Sequence, residues 1–233
     1  MEQQGKYIYE YPRPAVTTDC VIFGFGEGEL KVLLVERGIE PYLGKWALPG
    51  GFIDMDENSE ECARRILRKE AGLENIYMEQ LFTFSEIERD PRYRVISIAY
   101  YALVKLSDYN AQPGIDTTNI RWFSISEVLE LAFDHAKILE VAIERLKGQI
   151  KYQPIGFELL PEKFTLPDLL HLYQTILQTK LDDRNFRKKI LSYGLLIDTG
   201  EQQRGAKNRA PKLYCFDKRR YGELTKTGFY FEL

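Results

Sequence analysis

The sequence predicts an α/β (α+β) sandwich followed by a winged helix-turn-helix domain, and three observations point that way. The first 150 residues alternate β-branched, apolar runs with a few helical patterns. From residue 164 onward the order changes to helix, turn, helix, then two β-like runs around a basic loop. Between the two patterns, Lys151 to Lys163 (KYQPIGFELLPEK) has two prolines, one glycine and no helical period, as a linker does. The chain is therefore divided into a domain at 1–150, a linker at 151–163 and a second domain at 164–233.

Each element has its own reason. Thr17 to Phe25 (TTDCVIFGF) and Leu30 to Arg37 (LKVLLVER) are apolar and β-branched, and GEGE between them makes a hairpin. A Pro49-Gly50-Gly51 turn leads to a helix over about Ser59 to Ala71. Asn58 can cap it, with Glu61 reaching back in a capping box. Glu79 to Glu86, Arg94 to Val104 and Asn119 to Phe123 read as strands, and Ile125 to Leu131 starts helical. His135 to Gln149 is an amphipathic helix with Ile138, Leu139, Val141, Ala142 and Leu146 on its apolar side. In the second domain Leu166 to Leu177 is helical, with Pro167 early, where a missing N–H costs little. Leu181 to Leu195 is a second helix, capped by Asp182 or Asp183 and ended by Gly194. Leu196 to Gly200 and Pro211 to Phe216 are β-like.

With 44% apolar residues among 233, the composition suits a globular protein with a sizeable core. The three cysteines, Cys20, Cys62 and Cys215, have no spacing for zinc or a disulfide framework, which fits a reducing cytoplasm. No basic start precedes an apolar run, so no signal peptide is expected. No apolar stretch approaches the ~20 residues of a membrane span, so no membrane partner is expected. The net charge of −3 hides an asymmetry. Residues 1–153 hold 18 Lys and Arg against 25 Asp and Glu, whereas residues 184–220 hold 11 basic and 3 acidic side chains. The second domain faces something anionic.

The helix at 181–195 suggests what. At 100° per residue, Phe186, Ile190 and Tyr193 cluster on one side, and Arg184, Asn185, Lys188, Lys189 and Ser192 occupy the other. Apolar residues would pin such a helix to its module while basic and amide side chains enter the major groove. Arg187 joins this basic set, and the loop with Arg204, Lys207 and Arg209 would be the wing. The expected partner is double-stranded DNA.

The segment Gly51 to Leu73 (GFIDMDENSEECARRILRKEAGL) carries the other signal. Gly51, Glu57 six residues on, Arg65 eight after that, then Leu67, Glu70, Gly72 and Leu73 resemble the Nudix box. GKWALPGG, at Gly44 to Gly51, resembles the sequence that precedes it. The resemblance implies a Nudix-type α/β/α sandwich, with Gly51, Glu57, Arg65 and Gly72 as structural members of the box. It also implies three carboxylates at positions now held by Ile66, Lys69 and Glu70, which are i, i+3 and i+4 on one helical face. Magnesium needs oxygen ligands. Here the face is neutral overall, a poor metal site, with Glu57 and Glu70 the weak candidates left and Glu70 the residual catalytic candidate. Asp54, Asp56, Glu60, Glu61, Glu86 and Glu88 lie nearby in sequence and could supply a substitute.

Box and tail together resemble the Nudix-related transcriptional regulators, NrtR, from about Thr17 to Phe216. Further matching segments are Arg89-Asp90-Pro91-Arg92 before Val95 to Tyr100, Phe133-Asp134-His135, FTLPDLLHLY, RNFRKKI and Leu213-Tyr214. The wing departs, with Asn208-Arg209-Ala210-Pro211 where the family tends to have Gly-Arg-Pro-Ala. The resemblance implies a homodimer on a palindromic operator, with a degenerate Nudix domain that senses ADP-ribose, a similar nucleotide or a sugar. No cofactor would be required, magnesium entering only if the chain hydrolyses. Candidate ligand-binding residues are Arg37, Lys45, Trp46, Arg89 and Arg92: cations for phosphate or hydroxyls, an aromatic for a base or sugar face. Each Arg would serve equally in a surface ion pair, and His135 suits a structural role better than a catalytic one. The alternative reading is a magnesium-dependent Nudix hydrolase such as an ADP-ribose pyrophosphatase.

Overall fold

The computed structural model describes residues 10–72, 74, 76–106, 117–128, 130–203, 210–229, 231 and 232. Its first sheet is built on β1 (Ala15–Gly26), whose apolar run is long because both of its faces are covered. Cys20 and Ile22 point to one face and Val21 and Phe23 to the other, and all four are buried. β1 turns at Glu27-Gly28 into β2 (Glu29–Arg37) and pairs with it antiparallel, Phe23 opposite Val32. Along its whole length β1 runs parallel to β6 (Val95–Lys105), from Ala15 opposite Val95 to Phe25 opposite Lys105. β3 (Trp46–Ala47) and β7 (Thr117–Ser124) pair with β2. β4 (Gly50–Phe52) pairs with β1, and β5 (Tyr77–Phe84) with β6. The seven strands run β3-β2-β1-β6-β5, with β4 and β7 branching from β1 and β2.

One helix covers each face. α1 (Ser59–Ala71) presses Cys62, Ala63, Ile66 and Leu67 against Cys20, Ile22, Leu33 and Ala102. The expected capping box is formed: Asn58 Oδ1 accepts from the Glu61 N–H at 3.0 Å, and Glu61 Oε2 accepts from the Asn58 N–H at 2.8 Å. Gly72 ends the helix in the left-handed conformation, φ 63°. α2 (His135–Gln149) buries Ile138, Leu139, Ala142 and Leu146 against Val21, Phe23 and Tyr101 on the opposite face. The helix expected to start at Ile125 is replaced by a turn at 125–127. The Ser124 carbonyl accepts from the Glu127 N–H and the Ser124 and Ser126 hydroxyls bond each other, so local serine chemistry outcompetes the helix.

The stretch expected as a linker is packed: Ile155, Phe157, Leu159 and Leu160 are all buried, and residues 155–158 form a 3-10 turn. Phe157 stacks on Phe216 at 4.2 Å between ring centroids. Beyond it come β8 (Phe164–Thr165), α3 (Leu166–Leu177), α4 (Asp183–Ser192), β9 (Leu196–Gln202), β10 (Lys212–Phe216) and α5 (Lys218–Lys226). A three-stranded sheet in the order β8-β10-β9 backs the two helices. α5 has no buried residue and a weak apolar pattern (KRRYGELTK), which is why the sequence did not suggest it. The two modules touch where α2 meets α3, with Lys147 Nζ donating to Gln178 Oε1 at 3.0 Å, and at the β1–β2 turn. His171 of α3 sits against Gly28, and the Thr175 hydroxyl donates to the Gly28 carbonyl at 3.4 Å. Among the described residues no helix is long and apolar enough to cross a membrane.

Candidate ligand cleft and nucleic-acid interface

A cleft opens where one end of β1 meets β4 and the N-terminus of α2. Its empty volume, open mouth included, is about 850 Å³. Thr17 and Asp19 of β1, Arg37 of β2, Ala47 to Phe52, Lys69 of α1, Arg89, Asp90, Arg92, Phe133 and His135 line it.

The floor is a buried ionic network. Arg89, its side chain only 4% exposed, donates from Nη2 to Asp134 Oδ1 at 2.7 Å and to Asp19 Oδ2 at 3.1 Å, and from Nε to Asp134 Oδ2 at 3.0 Å. The Ser97 hydroxyl also donates to Asp19 Oδ2, at 2.6 Å. Burial works against the Arg89 charge, but its bonds to Asp134 and the charge of Asp19 outweigh it and raise its pKa. A cation held between the buried Asp19 and the half-buried Asp134 is a structural tie. His135 is tied in as well. Its Nδ1 accepts from the Leu48 N–H at 2.9 Å, which leaves the ring proton on Nε2, 3.6 Å from Asp19 Oδ1. Burial depresses the His135 pKa against the pull of Asp19 and Asp134, so the ring is neutral. The structural role expected of His135 fits this geometry.

The rim is cationic and aromatic. Arg92 is held by Asp90 at 2.7 Å, and its guanidinium lies 5.7 Å from the Phe52 ring, 5.5 Å from Tyr93 and 5.9 Å from Phe133. Arg37 lies 4.8 Å from the Phe133 ring and donates from Nε to the Pro41 carbonyl at 2.7 Å. Phe52 and Tyr93 are exposed on this rim, with ring centroids 6.2 Å apart.

Of the five expected ligand residues, Arg37, Arg89 and Arg92 line the cleft. Lys45 and Trp46 do not: strand alternation turns Ala47 inward, while Trp46 packs edge-on against Phe123 at 4.7 Å. Lys45 pairs with Glu130 at 3.0 Å. The sequence reading missed Asp19, Asp90, Phe52, Phe133 and Lys69 as lining residues. Phe133-Asp134-His135 was visible as a motif, but nothing local said that it closes the cleft.

The box residues make a latch. Arg65 donates from Nε to Glu57 Oε2 at 2.9 Å and from Nη2 to Oε1 at 2.5 Å, and the Asp54 N–H donates to Oε1 at 2.9 Å. The bond to Arg65 lowers the Glu57 pKa to about 2. Gly51, in β4, pairs with Thr18 of β1 and faces Ile66. These residues do not fit a magnesium ion. Ile66 is 3% exposed and belongs to the core under α1, Lys69 brings a positive charge, and both Glu57 oxygens are committed to the latch. The Glu70 side chain lies outside the described residues. Among the described residues no group of three or more His, Cys, Asp or Glu could hold a metal ion.

In the second module, Asp182 caps α4 by accepting from the Asn185 N–H at 2.8 Å. Phe186 and Ile190 are buried, and Phe186 meets Tyr173 of α3 edge-on at 5.4 Å. Arg184 and Lys188 are exposed on the opposite face; Asn185 and Lys189, also exposed, instead flank Phe186 along a hollow shared with Leu177 and Leu181, since they lie one residue before it and three after it on the helix. Arg187 pairs with Asp183 at 2.5 Å. The base of the wing is closed by the Gln203 N–H donating to the Pro211 carbonyl at 3.0 Å. Arg204, Lys207 and Arg209 lie outside the described residues.

A Nudix-type sandwich with a cationic cleft, joined to a winged helix that presents a basic helix, defines a DNA-binding regulator with a small-molecule sensing domain. Residues 13–142 match the NUDIX domain, and residues 156–216 match the NrtR DNA-binding winged helix domain. The chain belongs to the NrtR family of Nudix-related transcriptional regulators. It is 34% identical over 211 residues to the "ADPR responsive transcriptional repressor NtrR" of Acinetobacter baylyi, covering 89% of this chain and 84% of the relative. It is 33% identical to Shewanella oneidensis NrtR solved in complex with a 27mer DNA, with a TM-score of 0.79, covering 93% of this chain and 97% of that one. The NUDIX domain of the same Shewanella protein in complex with ADP ribose is 36% identical, with a TM-score of 0.54, covering 58% of this chain and 90% of that one.

Proposed function

We propose that this chain is a transcriptional repressor that grips duplex DNA through α4 and the wing and responds to ADP-ribose held in the cleft. One observation carries the reading. The cationic, aromatic-rimmed cleft shares strands β1 and β2 with the turn that touches α3, the helix on which α4 is seated. The ADP-ribose and DNA complexes of the Shewanella relative support both halves of it.

In this reading residues 1–150 sense, 164–233 bind DNA, and the packed connection 151–163 holds them together. Arg37 and Arg92 take the diphosphate, and Phe52, Tyr93 and Phe133 offer ring faces to the adenine or ribose. Arg89, its side chain 4% exposed and tied through Nε and Nη2 to Asp19 and Asp134, shapes the floor. Arg184, Asn185, Lys188 and Lys189 meet base edges and phosphates, with Arg187 nearby and Arg204, Lys207 and Arg209 in the wing. The protein acts as a homodimer, each copy placing one α4 in one half-site of a palindrome. Ile66 and Lys69 leave the ligand bound rather than hydrolysed.

Fluorescence anisotropy with a duplex from the gene's own upstream region tests this. Binding should weaken steeply with salt, and ADP-ribose should shift the DNA affinity. Salt-sensitive binding that ADP-ribose, but not ribose or AMP, reverses is the expected result. A complex indifferent to ADP-ribose, or no complex at low salt, would overturn it.

A further inference from the structure

Thr17 of β1 lines the cleft at 9% exposed, and its Oγ1 meets no hydrogen-bonding partner among the described residues. Its polar neighbours are committed elsewhere. Arg89 holds Asp19 and Asp134, the Ser97 hydroxyl donates to Asp19 Oδ2, and His135 Nδ1 accepts from the Leu48 N–H. The strand does not need the Thr17 hydroxyl, because its pairing with Phe52 and Ser97 is made by the backbone. Valine is also β-branched and would fill nearly the same volume, whereas a buried hydroxyl without a partner is destabilising. The methyl and hydroxyl of threonine exchange places by one χ1 step, so a ligand group at the wall can draw the hydroxyl toward itself.

Two residues along the same face of β1, Asp19 offers a second acceptor. Its Oδ2 is taken by Arg89 and Ser97, whereas Oδ1 makes no hydrogen bond among the described residues, with His135 Nε2 3.6 Å away. Gly50, another lining residue, passes beside Oδ1. A Cβ there would lie 2.4 Å from it, so glycine keeps this side of the carboxylate clear. A carboxylate oxygen only accepts, and a hydroxyl accepts as well as donates. An ionised diphosphate has no donor to give such a pair, but a sugar has several O–H groups. The rings that suit a base, Phe52 and Tyr93, are exposed on the rim instead. We infer that Thr17 Oγ1 and Asp19 Oδ1 form a hydroxyl-binding subsite in the floor of the cleft, which takes the terminal ribose of ADP-ribose, and that Thr17 sets the preference for this ligand over ADP. The inference rests on the reading of ADP-ribose as the ligand and gives its sugar end a place.

Calorimetric titration of the full chain with ADP-ribose, ADP and ribose 5-phosphate tests it. Thr17→Val should lose about five- to tenfold in affinity for ADP-ribose and little for ADP, so that the preference between them collapses. Thr17→Ser keeps a hydroxyl and should keep the preference. Without ligand, Thr17→Val should melt as high as the wild type or higher, because the hydroxyl it removes has no partner in the fold. A lower melting temperature would show that the hydroxyl is satisfied by the protein and would overturn the inference. Thr17→Val binding ADP-ribose like the wild type would do the same while leaving the ligand assignment intact. Equal losses for ADP-ribose and ADP would place the hydroxyl against the nucleotide and remove the sugar subsite. Ribose 5-phosphate separates the two readings. If the wild type binds it but not ADP-ribose, and Thr17→Val weakens it, the subsite stands and the ligand assignment falls. Binding of neither sugar-bearing probe would overturn both.

Discussion

His171 closes on Gly28 so tightly that a methyl group on Gly28 would lie 2.8 Å from its Nε2. Gly28 has φ +80°, a conformation that costs a side-chain-bearing residue about 1–2 kcal/mol. This is where the sensing sheet touches the helix that seats α4. The strand pair β1–β2 carries the cleft residues Asp19 and Arg37 at one end and this contact at the other, so it connects the cleft to α3.

Gly28→Val should therefore weaken communication between the modules. DNA affinity without ligand should change little, while the shift caused by saturating ADP-ribose should shrink severalfold, as read by anisotropy. His171→Ala removes the contact without straining the turn and should do the same. If both variants respond to ADP-ribose as the wild type does, the turn is not the link.

Arg89 separates a structural cation from a ligand cation. Arg89→Met leaves the buried Asp19 carboxylate without its cation and beside the half-buried Asp134, which should cost about 3 kcal/mol of stability. Urea denaturation would show this as a lowered midpoint. A variant with an unchanged midpoint and abolished ADP-ribose binding would instead make Arg89 a phosphate ligand.

His135 predicts a pH dependence. Its folded pKa lies below the ordinary value, so the folded state keeps the ring neutral. Above about pH 6.5 the ring is neutral in both states and its contribution is complete. As the pH falls below that value, the unfolded chain takes up a proton that the folded state refuses, and stability drops by up to ~1.4 kcal/mol per pH unit until the folded pKa is reached. The Glu57 latch fails later, between its ordinary 4.5 and about 2. Urea midpoints at about pH 7.5 and 5.5 should differ in the wild type and differ less in His135→Asn. Equal pH dependence in the two proteins would assign the effect to other groups.

On the DNA face, Lys188→Ala should reduce affinity for every duplex and lower the log–log salt slope by about 0.9, the signature of one lost phosphate contact. Asn185→Ala should cost affinity for the cognate operator alone if it reads a base. Phe186→Ala, by contrast, removes a buried ring from the α3–α4 contact and should unfold the module, at about 3–5 kcal/mol. A variant of Lys188 with wild-type salt dependence would remove α4 from the interface.

Elements with local causes could be read from the chain. The box helix was legible because Asn58 and Glu61, three residues apart, satisfy each other's backbone. α4 was legible because Asp182 caps it and Phe186 and Ile190 mark its buried side. The turn after Ser124 was not, because ISEVLEL has a helical pattern that two serine hydroxyls override. Which half of the Trp46-Ala47 pair enters the cleft was equally hidden, since alternation fixes opposite faces but not which face is which.

The sequence by itself determined the two modules, their order and the basic face of α4, matters of spacing and composition, and its resemblance to the Nudix box marked the two carboxylates lost from it. Only the tertiary structure decided what those residues do together. Arg89 meets Asp19 across 70 positions of chain and Asp134 across 45, which places it in the floor of the cleft. Lys69, in sequence only a carboxylate lost, comes to line the cleft because α1 packs its Ile66 side into the core. The physical reason is the same in both cases. A charge acquires a role from the groups within a few ångströms of it, and in a sheet-and-helix sandwich those groups come from distant parts of the chain.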